Sequence, residues 1–218
     1  VHDRGGLSIG RPRRLVETLT APSAVTPQAM RSAAAAHAAT LGALPRPRVG
    51  VLVGGASRAH RFEAAEAAEL GDRLAAFADS NDASLLVTTS RRTAPAAAEA
   101  LAERLAATRY AFVDGRRADA SEAFAAILGL SDAFVVTADS FAMMSEAAAT
   151  GTPLYAWRLP GGKAKFERFY EGLADHGALR WFDGTLERWT YPPLDAAAAL
   201  AEALAPALAL RRTGDGRI

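Results

Sequence analysis

At 218 residues the chain is long enough for one large α/β domain, or for one domain with flanking segments. Its formal net charge is +1, from 25 basic against 24 acidic side chains, so no global field draws it to nucleic acid and any anion binding must be local. Cysteine is absent, which excludes disulfides, thiolate metal sites and a cysteine nucleophile; the 4 histidines (His2, His37, His60, His176) are too scattered for a zinc site.

Residues 1–25 carry Gly5, Gly6, Gly10, Pro12 and Pro22 without a period and read as a connecting segment. Thr26-Pro27 then opens a helix running to about Leu41, with the hydroxyl as N-cap and Pro at the first helical position. From Arg48 onward, strands and helices alternate. Strands are expected over 48–55, 84–90, 109–113, 133–138 and 153–159. Helices follow over 66–78, 95–108, 121–128, from Ser140 to Gly151, and over 165–175. After Leu179 to Phe182, a loop leads to a last helix from Asp195 to about Leu208. The strands are continuous apolar runs, as required when helices cover both faces of a parallel sheet. The expected fold is therefore α/β, a doubly wound parallel sheet of Rossmann type.

Ligands bind such sheets outside the carboxyl ends of the strands. The loops there are polar and basic. After the first strand come Gly54, Gly55, Ser57, Arg58, His60 and Arg61. Paired glycines let a phosphate approach the backbone, although a tight turn with exposed arginines has the same composition. After the second strand, Ser90, Arg91 and Arg92 stand among threonines, a pattern suited to a bidentate phosphate fork. After the fourth, Asp139 and Ser140 offer N-cap chemistry at a helix start where free amides and the dipole favour anions. Glu146 lies about two turns further on, able to take a sugar hydroxyl. After the fifth, the loop Gly161 to Lys165, with Lys163 at its centre, could close over a diphosphate or stay solvated. Neither GxGxxG, a Walker loop, GxSxG nor HExxH occurs, which disfavours an NAD enzyme and the common hydrolases.

Taken together, GGASRAHRF, LLVTTSRRT, VVTADSFAMMSEAAATGTPLY, GGKAKFERF and WTYPPL resemble the carboxyl-terminal half of the mitochondrial fission family, which has plant and bacterial members. HDRGG and VETLTAPSAVTPQ resemble that family's connector between two domains. The resemblance implies residues 1–47 as connector and helix from a missing first domain, and 48–218 as a Rossmann-like nucleotide-sugar-binding domain. It further implies a GT-B glycosyltransferase-like architecture whose second half grips a nucleotide-diphosphate sugar. On that resemblance Gly54, Gly55 and Ser57 match the glycine loop, while Thr137, Asp139, Ser140, Ser145 and Glu146 match the helix site. Ser90, Arg91 and Arg92 match a motif of the fission family itself. No cofactor beyond the donor is implied, and the acceptor and the catalytic residues stay open.

Two functions follow as expectations. One is a glycosyltransferase-like protein of which this half binds the donor. The other is a non-catalytic recruitment protein at a membrane periphery. No apolar run approaches the roughly 18 residues that would suggest a membrane span, and no secretory leader is visible in VHDRGG. A cytoplasmic location, with peripheral contact at the inner face of the membrane, is the expectation.

Overall fold

The structure, a computed structural model, describes residues 16–23 and 25–214; the connector motif at 1–15 lies outside them. Six strands, β1 (Arg48–Val53), β2 (Ser84–Thr89), β3 (Tyr110–Val113), β4 (Ala133–Thr137), β5 (Leu154–Trp157) and β6 (Leu179–Trp181), form one parallel sheet. Its order is β3-β2-β1-β4-β5-β6. The helices are α1 (Pro27–Ala36), α2 (Ala64–Ser80), α3 (Pro95–Leu105), α4 (Ala120–Leu130), α5 (Phe141–Ala148), α6 (Ala164–Asp175) and α7 (Ala196–Gly214).

Alternate residues of each strand enter opposite cores. Leu52, Leu86, Phe134, Val136 and Leu154 pack beneath α1, α4, α5 and α6. Val51, Val53, Val87, Val135 and Tyr155 pack beneath α2, α3 and Phe182. Both faces are covered, which is why the strands read as unbroken apolar runs. Helix starts follow local chemistry. The Thr26 hydroxyl accepts from the Ala29 amide at 3.1 Å, and Glu63 and Glu66 form a reciprocal capping box at α2.

Several elements differ from expectation, among them α7, which runs to Gly214 rather than about Leu208. The run after Leu179 is a sixth strand on the sheet edge beyond β5. With Arg180 and Trp181 exposed, it lacks the buried signature of the others. Helix α1 ends at Ala36, and a 3-10 turn at Leu41–Ala43 follows. Helix α5 is short: it stops at Ala148, with Gly151 at φ +74° carrying the chain into β5. No helix among the described residues is long and apolar enough to cross a membrane.

The sheet order reverses between β1 and β4. Crossovers from β1 run one way across the sheet and those from β4 the other, so a crevice opens at their carboxyl ends.

Candidate functional site

Asp139 occupies the centre of that switch, and its side chain is fully buried. Its Oδ2 accepts from the Gly55 amide at 2.8 Å and from Arg92 Nη2 at 2.8 Å. Arg92 Nη1 also donates to the Gly55 carbonyl at 2.9 Å. The Gly54 amide donates to the Thr137 hydroxyl at 2.7 Å, and the Thr93 hydroxyl donates to the Gly54 carbonyl. The loops after β1, β2 and β4 are thereby clasped together by protein groups. A Cβ on Gly54 would lie 2.2 Å from Asp139 Oδ2, and one on Gly55 would lie 2.4 Å from the Arg92 carbonyl. Sequence reasoning gave the close approach at these glycines to a phosphate; in the structure a carboxylate and a main chain occupy that space.

The loop after β1 is also closed on its other side. Ser57 Oγ accepts from the Ala59 and His60 amides at 3.2 and 3.1 Å, so Ser57 organises its own turn. His60 then forms an antiparallel bridge with Gly161, and the Gly162 amide reaches the Ala59 carbonyl at 2.6 Å. Because β4 lies between β1 and β5, this pairing joins the loops on either side of the end of β4.

Beside the clasp, between α1, α4, α5 and the end of β2, lies a cleft of about 1080 Å³. Ser90, Arg91, Arg92, Ser140 and Glu146 all line it, against an apolar wall that includes Ala29, Ala33, Phe124 and Met143. The two arginines are not equivalent. Arg92 is committed to Asp139, whereas Arg91 is exposed and, among the described residues, has no protein partner. Ser140 is the N-cap of α5, but its side chain makes no capping bond, and Asp139 is already held by Gly55 and Arg92. The expected N-cap chemistry therefore fails for both. The first turn of α5 therefore has no side-chain cap from Ser140, and its residues Ala142 and Met143 line the cleft.

Glu146 makes no hydrogen bond or ion pair among the described residues, and burial alone pushes its carboxyl up to about 7. A carboxylate with a perturbed pKa, lining a cleft and lacking a partner, is a functional candidate. Chemically it suits a ligand hydroxyl.

The remaining expected site residues lie elsewhere. Thr137 is buried under Gly54. Ser145 donates to the Phe141 carbonyl at 2.8 Å and accepts from the Ala21 amide at 3.1 Å, which ties the incoming segment to α5. Lys163 is the N-cap of α6 and does not line the cleft. The α1 and α4 wall went unrecognised in the sequence, since its Ala-rich stretches look like any helix surface.

These features define a doubly wound α/β domain with a cleft of mixed polar and apolar lining beside its switch point. The chain belongs to the family described as Mitochondrial fission ELM1, whose family model matches residues 1–208. It is 32% identical over 186 residues to the mitochondrial fission protein ELM1 of Arabidopsis thaliana, covering 84% of this chain and 43% of that protein. It is 26% identical over 167 residues to an uncharacterised Rickettsia prowazekii protein, covering 75% of this chain and 47% of the other. The chain thus spans less than half the length of either relative. Among solved structures it is similar to E. coli ADP-heptose LPS heptosyltransferase II, at 18% identity and TM-score 0.45, covering 90% of this chain and 56% of that one. It is also similar to WaaG, a glycosyltransferase of lipopolysaccharide biosynthesis, at 19% identity and TM-score 0.47, covering 84% and 46%.

Proposed function

We propose that the cleft binds the nucleoside diphosphate of a sugar donor, and that this domain is the donor half of a glycosyltransferase-like protein. One observation carries the reading: an unpartnered cation (Arg91), an uncapped helix start (α5) and an unpartnered carboxylate (Glu146) line the same cleft. The amides of Ala142 and Met143, with Arg91, receive a phosphate. Glu146 accepts from ribose hydroxyls, and the wall of Ala29, Ala33, Phe124 and Met143 takes the base and the sugar-ring face. The clasp of Arg92 and Asp139 holds these parts in register.

Isothermal titration of the chain with uridine, guanosine and adenosine diphosphates tests this reading. At least one should bind, and Arg91→Ala and Glu146→Ala should each weaken it about tenfold or more, the loss of one charge-assisted contact. Flat titrations for all three nucleotides would overturn the proposal.

A further inference from the structure

His60 is left unexplained by the cleft. It is 5% exposed, and its Nδ1 is buried without a hydrogen-bond partner. Its ring meets that of Phe166 edge-on, with centroids 4.9 Å apart. Its Nε2 lies 3.8 Å from where a side chain on Gly162 would begin. Phe166 lies in the first turn of α6 and Gly162 just before it, so the imidazole is set against that helix's amino end.

Other groups gather at the same point. Lys163 is the N-cap of α6 but contributes no side-chain capping bond, which leaves first-turn amides open. Lys165 Nζ stands 5.1 Å from the centroid of the same Phe166 ring, and Lys163 is exposed. Glu167, the acidic residue of that turn, is engaged by Arg158 at 3.1 Å. Gly161 is held tightly, since a Cβ there would lie 2.2 Å from the Ala59 carbonyl. An orphaned ring nitrogen costs less as a bare acceptor than as a buried donor, which places the imidazole proton on Nε2. Burial chiefly, assisted by Arg92 and opposed by Asp139 and Glu167, pulls the pKa of His60 below its ordinary value and keeps the ring neutral near pH 7.

We propose that the α6 amino terminus, His60 Nε2–H, Lys163 and Lys165 form a second subsite, for a phosphate-class oxyanion, across the Arg92–Asp139 pair from the α5 terminus. It rests on the proposed function only for the identity of its ligand: the distal phosphate of the nucleoside diphosphate whose proximal phosphate sits at α5. Helices α5 and α6 follow the neighbouring strands β4 and β5, so their amino ends open at the same edge of the sheet. The lysines supply attraction, and the neutral imidazole supplies a directed donor.

The test follows the His60 imidazole by ¹⁵N-resolved NMR on the full chain, with the signal assigned by His60→Gln. Uridine monophosphate, uridine diphosphate and inorganic pyrophosphate are the three probes. The proposal expects Nε2 to shift with the diphosphate and with pyrophosphate but not with the monophosphate. It also expects the diphosphate to bind about tenfold tighter than the monophosphate, and that gain to vanish in Lys163→Ala/Lys165→Ala. Equal affinities with an unmoved His60 would overturn the second subsite and leave the cleft reading intact. A response to pyrophosphate without any nucleotide binding would uphold the subsite and remove the cleft reading. Silence towards all three probes would overturn the second subsite, and silence of guanosine and adenosine diphosphates as well would overturn the cleft reading with it.

Discussion

Glu146→Gln separates stability from binding. Burial alone raises the Glu146 carboxyl from 4.5 to about 7 in the folded chain. The folded state therefore holds a proton that the unfolded state releases between those values. Stability from this group is complete below pH 4.5, falls as pH rises through about 7, and is flat above. At about 1.36 kcal/mol per pH unit, an ionised Glu146 costs the fold at most roughly 3 kcal/mol at pH 8.5. Glutamine cannot ionise, but its buried amide costs roughly 1–2 kcal/mol where it finds no partner. The net expectation is a variant more stable than the parent by about 1–2 kcal/mol at pH 8.5, raising Tm by roughly 2–6 °C. Near pH 4.5, where the parent carboxyl is protonated and only the amide cost remains, the order should reverse, with the variant less stable by about 1–2 kcal/mol. Thermal melts of both chains across pH 4.5–8.5 measure this. A Tm difference that does not change with pH, or a variant less stable than the parent at pH 8.5, would refute the reasoning. In the same preparation, diphosphate affinity should drop about tenfold despite the added stability, the trade expected of a residue kept for binding.

The two cleft arginines should part company. Arg91→Ala should change unfolding free energy by less than about 0.5 kcal/mol while weakening nucleotide binding about tenfold or more. Arg92→Ala should cost about 2–3 kcal/mol by stranding the buried Asp139 carboxylate, with much of that loss recovered in Arg92→Ala/Asp139→Asn; denaturant titration of the four chains gives the coupling. Gly54→Ala should destabilise by about 1–3 kcal/mol or more, since its methyl collides with Asp139 whether or not a nucleotide is present. Ser145→Ala should cost about 1 kcal/mol and speed amide exchange at Ala21, because that amide loses its acceptor.

The sheet was legible in the sequence because each of its first five strands is an apolar run bounded by turn residues, a signal set by burial on both faces. β6 escaped notice for the opposite reason: Arg180 and Trp181 face solvent on an edge, so only Leu179 carries the pattern. The polar residues of the site were visible by position, since every strand end in such a sheet is a candidate. Their allegiances were not. Arg91 and Arg92 are adjacent and chemically identical in sequence. What divides them is Asp139, 47 residues further on, which only the β1–β4 pairing brings within reach. His60 looked isolated because its neighbours, Gly162 and Phe166, are about a hundred residues away in sequence.

The same division weighs against the glycine pair as a phosphate cradle. An anion over Gly54 and Gly55 would meet a buried carboxylate whose Oδ2 is held by two donors and whose Oδ1 has no hydrogen-bond partner. Bringing a second negative charge into that buried space carries a desolvation and repulsion cost that the single Arg92 cannot offset for both. On this argument anions should be kept from the centre of the switch and bind at its flanks. There the open amides of α5 stand beside Arg91 on one side, and those of α6 beside Lys163 and Lys165 on the other. Neutralising Asp139 should relax this exclusion. In Asp139→Asn a small anion such as sulfate gains access to Gly55 and Arg92, and it should stabilise that variant more than the parent. Equal stabilisation of the two chains by sulfate would mean that the buried carboxylate does not set where anions bind.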